Sequence, residues 1–290
     1  MKFEDIKKIG VCGAGSMGSG IIQVCAMAGY DVQVLEVSEE AWERGKNLID
    51  SSLKRFLKKE KITQEQYDEI WKRINFSTSI EPFKDVDFVI EAVFENFDVK
   101  KETYNKLESV LKEDVIIATN TSSICITELA STTKRPDKFI GMHFFNPVPM
   151  MKLVEVIPAL QTSEETVEIT MQLGKKIGKE PVKCADTPGF IVNRILVPMM
   201  LEATRMLEEG IATAEDIDKA MKLGAGWPMG PFELMDLTGV EIAYHVGNIF
   251  YEYTKNPYFN PPHLMRKMVN AKYLGRKTGK GFYDYSEDKK

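Results

Sequence analysis

A short glycine-rich string near the N-terminus constrains the fold of this chain more than any other feature. Gly13-Ala14-Gly15-Ser16-Met17-Gly18 reads G-x-G-x-x-G, with an apolar run Lys8–Cys12 before it and a helical pattern Met17–Ala28 after it. A second apolar run, Asp31–Leu35, ends against Glu36. In such a strand–turn–helix unit each glycine has its own task. Gly13 permits the tight turn, Gly15 lets the backbone approach a pyrophosphate, and Gly18 lets the helix pack close to the sheet. The amides at the helix N-terminus then face phosphate oxygens. Glu36 lies 23 residues after Gly13, where a carboxylate can accept hydrogen bonds from an adenosine ribose and repel a 2′-phosphate. The expected cofactor is therefore NAD. The bare string is weak evidence, since a glycine turn followed by a surface acid would look the same; the flanking strands and helix carry the reading.

Beyond this unit the first half keeps alternating short β-branched runs with helical patterns. Asp87–Ala92, Val115–Asn120, Phe139–His143 and Leu153–Val156 read as strands, and Val99–Leu111 as a helix. Strands separated by helices imply a mainly parallel sheet wound on both faces, an α/β, Rossmann-type domain. The polar stretch 39–72 is too long and too charged for one crossover. It reads as an inserted pair of helices broken near Ile62-Thr63, where Thr63 and Gln66 have capping-box spacing. Asp186-Thr187-Pro188-Gly189 has turn chemistry and marks the expected boundary between domains 1–187 and 188–290. The second domain reads as smaller and all-helical. Phe190–Glu209 has apolar residues at helical spacing, with Pro198 predicting a kink. Thr213–Leu223 opens on a Thr-x-x-Asp cap, Gly224–Pro231 is a loop, and a Lys/Gly-rich tail covers Leu274–Tyr285.

Composition narrows the function class. Of 290 residues, 43% are hydrophobic and 28% charged, ordinary globular values that argue against disorder. The formal net charge of −5 gives no reason to expect nucleic acid as the main partner. Cys12, Cys25, Cys125 and Cys184 contain no C-x-x-C pair, so neither a disulfide framework nor a metal site is expected, and a reducing compartment fits. Met-Lys-Phe-Glu-Asp-Ile resembles neither a secretory signal nor a transit peptide. Apolar runs such as Ile9–Cys12 fall far short of the ~20 residues a membrane span needs. A cytoplasmic protein is expected.

Five further stretches point to one family: Asn120-Thr-Ser-Ser, Gly141-Met-His-Phe-Phe-Asn-Pro-Val-Pro, Met151-Lys-Leu-Val-Glu-Val, Pro188-Gly-Phe-Ile-Val-Asn-Arg and Asp216-Ile-Asp-Lys-Ala-Met-Lys-Leu-Gly. Together they resemble the (S)-3-hydroxyacyl-CoA dehydrogenases, and among them the 3-hydroxybutyryl-CoA dehydrogenases, over essentially the whole chain. The resemblance implies an NAD-binding α/β domain and a helical domain through which subunits form a homodimer or higher homo-oligomer. The implied activity is interconversion of (S)-3-hydroxybutyryl-CoA, or another short-chain 3-hydroxyacyl-CoA, with acetoacetyl-CoA or the matching 3-ketoacyl-CoA, in fatty-acid oxidation or butyrate-type metabolism. Two positions depart from the pattern: Glu36 stands where many members have Asp, and Cys125 where Ser or Gln is common.

Oxidising a secondary alcohol needs a base for the hydroxyl proton and a donor for the developing oxyanion. Imidazole, with an unperturbed pKa of ~6.5, suits that proton transfer near neutrality. The chain has three histidines. His245 and His263 lie in helical or Pro-rich surroundings with no acid at suggestive spacing, and read as structural. His143 ends an apolar strand, a place that suits a core residue as well as a catalytic one, and the resemblance makes it the catalytic histidine. Glu155 falls in the next strand among apolar neighbours, where a carboxylate is costly unless paired. It reads as the acid that orients His143, the alternative being a solvated acid on an edge strand.

By the same resemblance Ser122 and Asn193 are the two further polar groups of the site, Ser122 touching both substrate and cofactor. Asn193 would complete the grip from the second domain. Cofactor contacts are implied for Glu95, Lys100, Asn146 and Lys277, beside the 13–18 loop and Glu36. For the acyl-CoA, Ser52 and Lys59 share a helical face flanked by Lys54, Arg55 and Lys58, where basic groups can pair with CoA phosphates; a solvated helix face would look alike. Two other functions compete: a dehydrogenase of free 3-hydroxy acids, with no use for the Ser52–Lys59 helix, and a non-enzymatic, crystallin-like cofactor-binding protein, which predicts a damaged site.

Overall fold

The computed structural model describes residues 2–286. Their contacts divide into two compact units, one ending at Thr187 and the other beginning at Pro188.

The first unit is built on an eight-stranded sheet. In chain order its elements are β1 (Lys8–Cys12), α1 (Ser16–Met27), β2 (Asp31–Leu35), α2 (Glu39–Lys58), α3 (Gln64–Lys72), β3 (Ile74–Ser77), β4 (Phe88–Glu91), α4 (Phe97–Glu108), β5 (Ile116–Thr119), α5 (Ile126–Ala130), β6 (Phe139–Phe144), β7 (Leu153–Pro158), α6 (Glu164–Lys176) and β8 (Glu180–Lys183). The strands run β3-β2-β1-β4-β5-β6-β7-β8 across the sheet. Every neighbouring pair is parallel except β6 and β7. The first six strands thus follow the doubly wound dinucleotide-binding order, which reverses between β1 and β4 and opens a crevice there at the carboxyl ends.

Strands β4, β5 and β6 are buried at every position, as parallel strands covered by helices on both faces must be. Ile9, Val11, Ile90, Ala118 and Ile140 from the sheet join Ile21 and Ile22 of α1 in one core. The inserted helix pair is present. Ser38 caps α2, and Thr63 and Gln66 form the capping box of α3. Trp42, Gly45, Ile49 and Leu53 line the buried face of α2 at helical spacing, and Trp42 stacks on Phe76 with ring centroids 5.1 Å apart.

Several elements carry only a short or weak apolar signal in the sequence. β3, Ile-Asn-Phe-Ser, and β8, Glu-Pro-Val-Lys, are the two edge strands and are largely half-buried or exposed. An edge strand needs apolar residues on fewer sides and tolerates a proline, here Pro181. The short α5 escapes the periodicity reading, whereas α6, absent from the strands and helices read above, does have its buried Val167, Thr170 and Leu173 at helical spacing. Helix α4 begins earlier than its apolar pattern because the Asn96 side chain accepts from the amides of Asp98 and Val99.

In the second unit the regular elements among the described residues are helices: α7 (Val192–Glu208), α8 (Ala214–Gly224), α9 (Pro231–Thr238), α10 (Val240–Thr254) and α11 (His263–Asn270). Pro198 lies inside the continuous span of α7. Leu201, Phe232, Met235, Val240, Phe250 and Met265 form its core. Two buried aspartates fasten the tail: Asp236 accepts from the amides of Phe282 and Tyr283, and Asp218 from the Tyr283 hydroxyl and the amides of Phe232 and Glu233. Among the described residues no helix is long and apolar enough to cross a membrane.

Candidate active site

At the carboxyl end of β1 the chain turns at Gly13, whose φ of +91° favours glycine. The Gly13 amide donates to the Leu35 carbonyl at 2.9 Å, tying the loop to the end of β2. A Cβ on Gly18 would lie 2.0 Å from the Gly13 carbonyl oxygen, so only glycine allows α1 to start this close to the strand. Gly15 differs: a Cβ there would meet nothing within 4 Å. That open space over exposed backbone at a helix N-terminus is what a pyrophosphate requires. The Glu36 carboxylate stands beside the loop. Its Oε1 accepts from the Ala14 amide at 2.5 Å and its Oε2 from the Val37 amide at 2.9 Å. Each oxygen keeps acceptor capacity for ribose hydroxyls, so loop and acid together fit a dinucleotide.

His143 and Glu155 face each other directly in the antiparallel pairing of β6 with β7. His143 Nδ1 lies 2.7 Å from Glu155 Oε2, and both residues are buried. An ionised carboxylate only accepts, so in this contact Nδ1 is the donor, and a neutral ring in that tautomer has its lone pair on Nε2. Glu155 is 0% exposed and β8 covers its strand, which removes the solvated-edge alternative. The ring of Phe145 packs 4.6 Å from that of His143. Next to this pair, burial and the negative charges of Glu155 and Asp186 push the Cys184 thiol up to about 12. It is no thiolate nucleophile near neutral pH.

Ser122 sits just past the carboxyl end of β5, in a loop held from three sides. Glu95 Oε1 accepts from the Ser122 amide at 2.9 Å, the Thr121 hydroxyl at 2.5 Å and the Ser123 hydroxyl at 3.0 Å. The Asn120 side chain accepts from the Phe144 amide at 2.9 Å, linking this loop to the residue after His143. Asp186 accepts from the amides of Ile126 and Thr127 and from the Cys125 thiol, capping α5 directly after the loop. Asp186 and the side-chain role of Asn120 carry no periodicity signal. Glu91 was open to the argument applied to Glu155, since it too is an acid inside an apolar strand.

The remaining sequence-predicted residues are dispersed. Lys100 is buried with its ammonium 2.7 Å from Glu91 and 3.2 Å from Glu95. Asn146 is exposed and precedes a cis peptide to Pro147. The buried Lys179 ammonium donates to the carbonyls of Val148 and Met151 in the same loop. On α2, Ser52 is half-buried and Lys59 is the exposed C-terminal cap, while Lys54 pairs with Asp50 at 2.8 Å. In the second unit Asn193 is half-buried in the first turn of α7, and the exposed Lys277 pairs with Glu241.

A phosphate-binding loop at the switch point of a doubly wound sheet, an acid ending its second strand and a buried histidine–carboxylate pair near the carboxyl end of β6 define the class: a nicotinamide-dependent dehydrogenase. Known proteins narrow it. Residues 8–187 match the model of the 3-hydroxyacyl-CoA dehydrogenase NAD binding domain, and residues 189–285 that of the 3-hydroxyacyl-CoA dehydrogenase C-terminal domain. The chain is 47% identical to a 3-hydroxybutyryl-CoA dehydrogenase of Clostridioides difficile, with 97% of this chain and 100% of that protein covered. Human mitochondrial hydroxyacyl-coenzyme A dehydrogenase is 44% identical, with 97% of this chain and 91% of that protein covered. The crystal structure of (S)-3-hydroxybutyryl-CoA dehydrogenase from Ralstonia eutropha superposes with a TM-score of 0.94 at 47% identity, covering 97% of this chain and 99% of that one. The chain belongs to the 3-hydroxyacyl-CoA dehydrogenase family, and its cofactor is NAD.

Proposed function

We propose that this enzyme interconverts (S)-3-hydroxybutyryl-CoA, and other short-chain 3-hydroxyacyl-CoAs, with acetoacetyl-CoA and its homologues, and that His143 and Glu155 handle the proton. The observation that carries the reading is the buried 2.7 Å contact between His143 Nδ1 and Glu155. When bound, NAD takes up or returns the hydride at C3 of the substrate. In oxidation His143 Nε2 accepts the hydroxyl proton, and in reduction the imidazolium gives it back. Glu155 holds the Nδ1 proton, which fixes the tautomer, and offsets the charge the ring gains. The Ser122 hydroxyl hydrogen-bonds the 3-oxygen and the cofactor, and Asn193 also binds substrate. Glu36 would accept from the ribose; Gly13, Ala14, Gly15, Ser16, Met17 and Gly18 would cradle the pyrophosphate; Glu95, Asn146 and Lys277 would complete the cofactor contacts, while Lys100, expected among them, is buried and would bear on the cofactor only through Glu95. Ser52 and Lys59 bind the CoA moiety, where exposed cations can meet its phosphates.

We further infer a homodimer or higher homo-oligomer, a reading supported by the exposed apolar side chains Ile195, Ile242 and Ile249 of the second unit. A cytoplasmic location suits cysteines that are all unpaired.

The deciding assay follows NADH oxidation with acetoacetyl-CoA, longer 3-ketoacyl-CoAs and free acetoacetate in parallel. Turnover with the short CoA thioester and little with free acetoacetate is the expected result. Comparable turnover of the free acid would transfer the enzyme to the free 3-hydroxy acids.

A further inference from the structure

Glu91 takes no part in the chemistry above, yet its buried carboxylate is held by four donors. Its side chain, 0% exposed, accepts from Lys100 Nζ at 2.7 Å, the Tyr104 hydroxyl at 2.6 Å, the Thr119 hydroxyl at 2.7 Å and the Val93 amide at 2.8 Å. A buried carboxylate needs such partners, since unpaired it would be strongly destabilising. The partners come from different elements: Thr119 ends β5, Tyr104 and Lys100 lie on α4, and Val93 follows β4. Lys100 Nζ in turn stands 3.2 Å from Glu95 Oε2. Glu95 Oε1 accepts from the Thr121 and Ser123 hydroxyls and from the amides of Ser122 and Ser123.

We infer that Glu91 is a positioning residue: acting through Lys100 and then Glu95, it sets the backbone of Ser122. The inference rests on the proposed role of Ser122 at the substrate. The two oxygens of Glu95 have divided tasks, Oε2 meeting the strut and Oε1 meeting the loop. Glu95 is 36% exposed, and a glutamate that open would sample several rotamers without the anchored ammonium. The alternation of negative, positive and negative charge is what conveys position. A strut serving only to pack α4 on the sheet would work equally well with neutral groups of the same shape. Two titratable groups of α4 bear on Glu95, the Lys100 ammonium 3.2 Å away and the Tyr104 phenol, both of which also face Glu91. Burial raises the pKa of Glu95, but the Lys100 ammonium and the bonds from Thr121, Ser122 and Ser123 outweigh this and hold it below the ordinary carboxylate value.

The test compares the full-length wild type with Lys100→Met, Glu91→Gln and the double variant, which leaves a neutral buried pair. Hydrogen exchange of the 121–123 amides, measured without substrate, reads the strut separately from any activity. The double variant is expected to recover thermal stability lost in Lys100→Met, yet to keep exchange faster by about tenfold or more. With NADH and acetoacetyl-CoA its kcat is expected to stay about 10- to 100-fold low, because Ser122 is displaced. Loss of kcat/KM on the acid side is expected to begin at higher pH in Lys100→Met, whose Glu95 has lost its neighbouring cation. Wild-type exchange at 121–123 in the double variant, with kcat within about twofold of wild type, would overturn the inference. If neither Lys100 variant folds, Glu91→Gln decides in the same way: faster exchange at 121–123 supports the strut and unchanged exchange overturns it. A wild type inactive on acetoacetyl-CoA would fault the functional reading and leave the exchange result standing.

Discussion

Gly45, in the second turn of α2, stands against Ala14 of the phosphate loop so closely that a Cβ on it would lie 2.4 Å from the Ala14 carbonyl oxygen. The helix proposed to hold CoA therefore rests directly on the loop that holds the dinucleotide. Gly45→Ala must push that loop out of place, since the atom it meets is backbone. NADH binding is expected to weaken about tenfold, equivalent to about 1.4 kcal/mol. Titration of NADH fluorescence checks this, and a substitution that leaves the dissociation constant unchanged would show that the loop yields freely.

Glu36 sets the choice between NAD and NADP. Its carboxylate is fastened by the Ala14 and Val37 amides, so it cannot swing aside to admit a 2′-phosphate. Like charges brought together in a closed site cost several kcal/mol, and kcat/KM with NADH is expected to exceed that with NADPH by well over an order of magnitude. Glu36→Ala should narrow the gap, mainly by weakening NADH. Equal kcat/KM values in the wild type would refute the assignment.

His143 and Glu155 are expected to behave as one unit. His143→Gln should leave NADH binding intact while kcat falls by ~10²–10⁴. Glu155→Gln keeps a hydrogen bond but cannot balance the imidazolium charge, so its loss should be smaller. The double variant should be little slower than His143→Gln alone. Fully multiplicative losses would mean that Glu155 only holds its strand in place.

Lys59 is exposed at the end of α2, remote in purpose from hydride transfer. Lys59→Ala is expected to raise KM for acetoacetyl-CoA with little change in kcat, the mark of lost uniform binding. Added salt should reproduce part of the effect, because exposed ion pairs are screened. A drop in kcat at constant KM would contradict a role confined to CoA binding.

The Cys184 thiol, pushed up to about 12, makes a prediction about alkaline pH. An unfolded cysteine loses its proton near ~8.5. Above that pH the folded state holds more protons than the unfolded one, so this group's contribution to stability falls as pH rises towards the folded value. Cys184→Ala should flatten the decline of urea-denaturation stability between about pH 8.5 and 10. Iodoacetamide should alkylate this thiol far more slowly than a free cysteine at pH ~8; rapid labelling of the native protein would contradict the burial.

Much of this molecule is legible in its residue order, for a local reason. The turn at Gly13, the buried strands β1, β2, β4 and β5 and the caps at Thr63 and Thr213 depend on short-range backbone sterics and hydrophobic period, which neighbouring residues express. The proton-handling pair was half visible: His143 ended an apolar run and Glu155 interrupted one, though nothing in the order shows that they face each other. That depends on β6 and β7 pairing antiparallel in one register within an otherwise parallel sheet, and a slip of one residue would turn the two side chains to opposite faces. The edge strands β3 and β8 stayed hidden because half-exposed backbone makes little demand on side-chain polarity. The Asn120 bond to Phe144 and the Asp186 cap on α5 join segments far apart along the chain, and the Glu91–Lys100–Glu95 strut, though short in sequence, bridges a strand, the loop after it and a helix. Their energies come from desolvation and hydrogen-bond partners that exist only after the sheet has closed, so a local pattern can flag a buried acid such as Glu91 but not the groups it meets.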